Sequence, residues 1–350
     1  MQRRNALPAL IFLTTACMLA GCGGSVTSND AHDGGDAGAV VHVTPPARPA
    51  SGASGSVTKW FALRTLRLGT EPAQDWMSLG FDLDGLATTA DDSAANTTTC
   101  ARPVGSPPAL LTDGNGGIDN NFGGHFMQSL RALWSDVETS ANASISDGTE
   151  TMLLRIEGLS ETGASDSVHV PGAIYLAHGL ASPKHDGKDR WPVLRSSVIE
   201  GDLGKPLVTF PDGYLSGGIW VSGALQKTML SVPIHIGDKR IRYVLDAAEI
   251  AFDVAGHDHG VIAGYTIKAS LDRVLDDIAT VFDVCPGNAA YDQVKAALEL
   301  SFDLSADAPG LQKIGAPCDA LSTGVGFTVE DVAPPTEVVD DPPSPPSPCH

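Results

Sequence analysis

The sequence predicts a mainly β, single-domain fold, an antiparallel β-sandwich or jelly roll interrupted by a few helices. Three observations carry this expectation. Short runs alternate apolar and polar residues with a period of two, as in Leu230, Val232, Ile234, Ile236 against Ser231, Pro233, His235. Glycine-rich turns such as Gly237-Asp238 and Gly256 to Gly260 separate them. Helical periodicity is confined to three stretches, near 124–138, 270–282 and 289–302. One apolar face at period two marks a half-buried strand, and close turns between such strands favour antiparallel pairing.

In chain order, the first strands read from alternation are 152–156 and 167–176. The next are 213–222, 230–236, 240–245, 249–254 and 261–267. In 249–254, Ile250, Phe252 and Val254 share one face, with Glu249, Ala251 and Asp253 on the other. In the first helical stretch Phe126, Leu130, Leu133, Trp134 and Val137 form one apolar stripe. Ser270 can cap the second, where Leu271, Val274, Leu275, Ile278 and Val281 keep the period. Tyr291, Val294, Leu298 and Phe302 form the third. Trp60, Trp134 and Trp220 lie in apolar runs or on a stripe, so they are expected in the core.

Outside 58–331 the composition changes. Residues 1–21 hold Arg3 and Arg4, then an apolar stretch from Leu7 to Ala20 that is short for a membrane span and suits a signal peptide. It ends in Leu19-Ala20-Gly21-Cys22, which resembles the lipobox of bacterial lipoproteins. The resemblance implies cleavage before Cys22, acylation of that cysteine and anchoring in a cell-envelope membrane. With Gly23 rather than Asp after the cysteine, it implies the outer membrane. Two or three acyl chains anchor stably where one holds only marginally. Residues 22–57 are rich in Gly, Ser, Ala, Asp and Pro, a composition expected to form a disordered tether. Residues 332–350 form a Pro-rich, acidic tail expected to be extended.

Charge narrows the partners. Of 350 residues, 42 are Asp or Glu and 22 are Lys or Arg, a formal net charge of −20. Nucleic-acid binding needs cationic side chains that release counterions from phosphates, so no nucleic acid is expected as a partner. The expected partner is the lipid membrane, through acylated Cys22.

Cys100, Cys285, Cys318 and Cys349 remain for disulfides in an exported chain, with three possible connectivities. The favoured one joins Cys285 to Cys318, stapling the last two helices to the segment after them, and Cys100 to Cys349.

The densest chemistry lies in GFDLDG (80–85) and DGNGGIDNN (113–121). Asp82, Asp84, Asp113, Asn115 and Asp119 are candidate Ca²⁺ ligands. Calcium takes six to eight oxygens, and interspersed glycines let backbone carbonyls contribute. The pattern is no EF-hand, since Gly124 stands where that loop needs a bidentate Glu. It resembles looser DxDG and DxNG loops. A structural ion is expected rather than a catalytic one, the bland alternative being simple turn chemistry. His257 and His259, and His178 and His185 with Asp186 and Asp189, are weaker metal candidates.

No nucleophile elbow, HExxH, phosphate-binding loop, GxGxxG or CxxC occurs. The expected function is therefore a membrane-anchored envelope protein with a binding or structural role. An envelope hydrolase or carbohydrate-active enzyme on a β-sandwich is the alternative. The body, through GFDLDG, Cys100, DGNGGIDN (113–120), GVIAG (260–264) and CDALSTGVGF (318–327), is similar to uncharacterised secreted lipoproteins of myxobacteria-type bacteria. That resemblance implies only that Cys100, Cys318 and the acidic loops form one structural unit. It brings no activity.

Overall fold

Twelve strands join into one sheet whose backbone pairing is antiparallel except at one edge. The computed structural model describes residues 44–70, 74–95, 100–161, 165–236, 239–282, 285–306, 311, 315–343 and 349. All lie in one compact unit, Val40–His350. The signal peptide, Cys22 and the first part of the tether fall outside the described residues.

The first strands are β1 (Val57–Arg67), β2 (Glu150–Leu159), β3 (Gly172–His178) and β4 (Val193–Leu194). Three short ones come after them, β5 (Val208–Phe210), β6 (Tyr214–Ser216) and β7 (Ile219–Val221). The long strands β8 (Gln226–Ile236), β9 (Lys239–Asp253), β10 (Gly260–Ile267) and β11 (Ala320–Asp331) come next, and β12 (Val338–Val339) is the last. Their order is β12-β4-β3-β2-β1-β11-β10-β9-β7-β6, with β5 on β3 and β8 on β9.

The fold is mainly β as expected, and its strands form one large, curled, mixed sheet. The reason lies in β9, which alternation alone divides into two strands. Its first part pairs with β8 and its second with β10 and β7. The β8 end curls back toward β2, where His235 Nε2 lies 2.8 Å from Glu150 Oε2. Leu230, Val232 and Ile234 of β8 and Leu154 and Ile156 of β2 therefore share one core.

Among the described residues there are five α-helices, α1 (Ala90–Ala95), α2 (Met127–Leu133), α3 (Val137–Ser146), α4 (Lys268–Phe282) and α5 (Ala289–Glu299), of which α3 and α4 pack directly on the sheet. The single helix expected over 124–138 is a π-helical turn, Phe122–Phe126, followed by α2, which ends where Trp134 turns extended. Leu271, Val274 and Leu275 of α4 are buried in the main core, as their period predicts. Trp220 is fully buried, and its Nε1 donates to Val170 O at 2.8 Å.

The described parts of both flanking segments, within 44–56 and 332–343, lie against the body. Arg48 donates to Val168 O and Asp212 O, and Tyr214 OH donates to Pro46 O, so the expected tether is docked by Pro46. In the tail, β12 pairs parallel to β4, and Asp341 accepts from Arg242 Nη2 at 2.9 Å.

The favoured disulfide pairing is corrected. The bridges are Cys100–Cys318 and Cys285–Cys349, with Cα separations of 5.1 and 5.3 Å. A parallel bridge between Ala101 and Pro317 sets Cys100 beside Cys318 at the entry to β11. The returning tail supplies Cys349 to Cys285 instead. The bridges span 218 and 64 residues. Serine replacement of either pair is expected to cost about 2–5 kcal/mol, the larger loss falling on Cys100–Cys318 because it closes the longer loop. Thermal melts of the two double variants check this, and a C100S/C318S protein melting like wild type would refute it.

Candidate metal centre

Glycines in the central strands prepare the site. A Cβ on Gly324 of β11 would lie 2.1 Å from Leu79 O, so only glycine lets the chain at 79–80 lie directly on the sheet. Gly80, with φ 127°, then turns the chain into Asp82 and Asp84. Buried Asn120 ties the layers together. Its Oδ1 accepts from Gly324 N at 2.8 Å and Gly123 N at 2.9 Å. Its Nδ2 donates to Leu79 O at 2.8 Å and Trp76 O at 3.1 Å.

This brings Asp82, Asp84 and Asp119 together, with one carboxylate oxygen of each within 4.8 Å of the others. Three such acids could hold a metal ion. Asp119 is 2% exposed and Asp84 5%. Asp119 Oδ2 accepts from Leu83 N at 2.6 Å and Asp84 N at 3.3 Å. Asp82 accepts from Gly85 N and Asp84 from Leu86 N, which aims both carboxylates across a tight loop.

The two remaining expected ligands stand differently. Asp113 accepts from Thr88 N and adds its charge to the group without joining the three-oxygen set. Asn115 donates through Nδ2 to Ser78 Oγ at 3.0 Å and fastens the loop instead.

Sequence reasoning missed a fifth acid, Asp303. It is 7% exposed and accepts from Ser322 N at 2.8 Å. Ser322 Oγ also accepts from Asn121 N at 2.8 Å, linking Asp303 to the segment that carries Asp119. The Cys100 sulfur lies 3.2 Å from Asp303 O, so Cys100, Cys318 and the acidic loops share one unit. The only sequence signal for Asp303 is an acid set between the apolar Phe302 and Leu304.

Crowding these acids away from water raises their proton affinity. Burial pushes Asp84 up to about 6, with Asp82 adding repulsion. Burial pushes Asp113 up to about 8, and Asp303, Asp84 and Asp82 reinforce it. Asp303 rises to about 7 through burial and the charge of Asp84. Asp119, the most enclosed, is held well above the usual carboxylate range by burial and by Asp113, Asp84 and Asp303. Asp82 is raised by burial as well. Among the described residues, no Lys, Arg or His forms an ion pair with any of the five.

The other histidines serve elsewhere. His235 pairs with Glu150, and His257 Nε2 lies 3.3 Å from Asp331. His259 lies 3.6 Å from Asp258, and neither tip histidine joins a three-ligand group among the described residues. A cleft of about 540 Å³ opens between the π-helical turn and α5, lined by Leu110, Gly124, His125, Gln128 and Leu298 among others. Burial lowers the proton affinity of His125, the sole titratable side chain on its wall among the described residues.

No helix among the described residues is long and apolar enough to cross a membrane. No protein-family model, curated protein or solved structure matches this chain.

Proposed function

We propose that the chain is an envelope lipoprotein with a binding or structural role, its fold braced by a structural Ca²⁺ ion held by Asp82, Asp84 and Asp119. The sequence Leu19-Ala20-Gly21-Cys22 supports the anchor, at the outer membrane. One observation carries the ion. Five carboxylates, among them buried Asp84, Asp119 and Asp303, sit together without a cationic partner among the described residues. Such a group is neutralised by protons or by a cation, and at neutral pH a divalent ion competes well. Oxygen-only donors of carboxylate type favour a hard cation, and the glycine-rich loops around them suit the flexible coordination of calcium. Asp113 and Asp303 then act as outer charges that deepen the well without touching the ion.

The test is a pair of thermal melts, in Ca²⁺ and in EDTA. An ion bound only by the folded state adds about 2.7 kcal/mol at a hundredfold excess over Kd. The Ca²⁺-dependent rise is expected to vanish in D82N and D119N. In EDTA both variants should melt at or above wild type, because each removes a repelling carboxylate. Coincident wild-type melts in Ca²⁺ and EDTA would overturn the ion. A protein that carries no lipid when expressed with its own N-terminus, or one still acylated as C22S, would overturn the anchor.

A further inference from the structure

A second set of ligand-type side chains converges away from the five acids. His185 and Asp189 come from the connection between β3 and β4, and Glu330 is the penultimate residue of β11. One ligand atom of each lies within 4.8 Å of the other two. The spacing His185 to Asp189 is visible in sequence, but Glu330 lies 145 residues away from His185 and reaches it only through the fold.

The imidazole of His185 is held from both sides. Nδ1 lies 2.9 Å from Glu330 Oε1 and 3.1 Å from Oε2. Nε2 lies 3.3 Å from Ser146 O, the carbonyl of the last residue of α3. A neutral ring that donates Nε2–H to that carbonyl carries its lone pair on Nδ1. That lone pair would face a carboxylate, which has only lone pairs to offer. Three arrangements avoid the clash: a neutral ring protonated on Nδ1, which donates to Glu330 and leaves Nε2 only a long 3.3 Å contact with the carbonyl, a doubly protonated ring, or a metal ion between Nδ1 and Glu330.

Three features favour the metal. First, a proton satisfies one carboxylate, whereas here a second one, Asp189, stands within ligand distance of both partners. A divalent ion neutralises the pair. Second, the supporting contacts are those of a ligand shell. A metal-bound imidazole characteristically donates its other N–H to a carbonyl, and ligating carboxylates are themselves hydrogen-bonded. Asp189 Oδ2 accepts from Lys184 N at 2.9 Å and His185 N at 2.8 Å, while Arg64, whose Nε stands 3.7 Å from Glu330 Oε2, is a partly exposed ion-pair partner with which a bound metal competes. Third, the side chains of His185 and Glu330 are 24% and 16% exposed, so water can complete the coordination. The negative end of the α3 dipole adds a favourable field for a cation.

We propose that His185, Asp189 and Glu330 form a site for a first-row divalent cation of the zinc class. One imidazole and two carboxylates with an open position suit Zn²⁺ or Co²⁺ better than the all-oxygen preference of Ca²⁺. The site is independent of the acid group of Asp82, Asp84 and Asp119 and shares none of its residues.

The test titrates Co²⁺ into the whole EDTA-stripped, dialysed protein in excess Ca²⁺, reading visible ligand-field absorption. The disulfides remove Cys100, Cys285, Cys318 and Cys349 from competition. One equivalent of Co²⁺ is expected to give saturable absorption that Zn²⁺ abolishes. H185A and E330Q should each weaken binding about tenfold or more, while D82N/D119N leaves it unchanged. E330Q keeps the side chain's shape and an acceptor, and circular dichroism checks that each variant is folded. Absence of saturable absorption in wild type would overturn the site. So would equal Co²⁺ affinity in folded H185A or E330Q, either of which would leave His185 as a hydrogen-bond partner of Glu330 alone.

Discussion

In metal-free buffer the protein is expected to lose stability as pH rises from about 5 to about 8, opposite to the usual behaviour of a paired carboxylate. Asp84, Asp303 and Asp113 are raised in the folded state to about 6, 7 and 8, and Asp119 and Asp82 are raised as well. An unfolded Asp titrates near ~3.9. Between these values the folded state binds more protons than the unfolded state. The stabilisation is therefore fully present below about pH 4 and is lost as pH climbs through the folded values. A tenfold gain in proton affinity on folding corresponds to about 1.4 kcal/mol, so the loss across the group is on the order of several kcal/mol. Glu249, pushed by burial to about 7, adds to the same slope. His125, lowered by burial, opposes it below its unfolded value, but it is one group against six. Saturating Ca²⁺ replaces the protons and is expected to flatten or reverse the slope. Urea titrations at half-unit pH steps, in EDTA and in Ca²⁺, check both arms. EDTA stability that increases over pH 5 to 8 would refute this dependence, and D119N should flatten the EDTA curve.

How much of this site is legible in the sequence depends on what local pattern can encode. Asp82, Asp84 and Asp119 stand in glycine-rich loops, and spacing alone is enough to single them out. Asp303 enters the group only because Ser322 on β11 holds it, a contact between residues 19 apart in a region of mixed pattern. The fold divides in the same way. Alternation marks β8 and the apolar run marks β2 and β10, which are buried on both faces, and the 3.6 period marks α4 and α5. It fails for β11, whose Gly324 and Gly326 interrupt any pattern because the chain at Leu79 and Gly80 lies on them. The strand that seats the acidic loop is thus hardest to read for the reason that makes it useful. Helix α3, VETSANASIS, has too few large apolar residues to show a stripe. Its position is fixed by side chains instead: Asn142 bonds the Leu66 backbone, and Glu138 accepts from Leu68 N at 2.8 Å. The cysteine pairing depends on the central placement of β11, which no local rule supplies.

Replacing Glu150 is expected to give the largest single loss of stability. Its side chain is fully buried at the start of β2, yet it is charged. Its carboxylate accepts from His235 Nε2 at 2.8 Å and from Arg240 Nη1 at 2.9 and 3.0 Å. Burial alone would raise its proton affinity, but the bonds and charges of His235 and Arg240 outweigh it and hold the group below the usual range. The contact joins β2 to the β8–β9 hairpin across the curl of the sheet. E150A leaves Arg240 enclosed with no counter-charge and His235 Nε2 without its acceptor, and breaking a buried pair in this way costs about 3–5 kcal/mol. That figure measures the orphaned partners more than the worth of the pair. A triple replacement, E150L/H235L/R240M, is accordingly expected to recover much of what E150A loses. If E150A unfolds in urea within about 1 kcal/mol of wild type, the contact does not hold the curl. If the triple variant is no better than E150A, the loss comes from β2–β8 geometry and not from unpaired charge. The pH dependence separates this latch from the acid group. Glu150 is lowered, so its contribution is present above its unfolded value near ~4.3 and fades only in stronger acid. Stability in EDTA should therefore peak in mildly acidic solution, bounded below by protonation of Glu150 and above by ionisation of Asp84, Asp303 and Asp113.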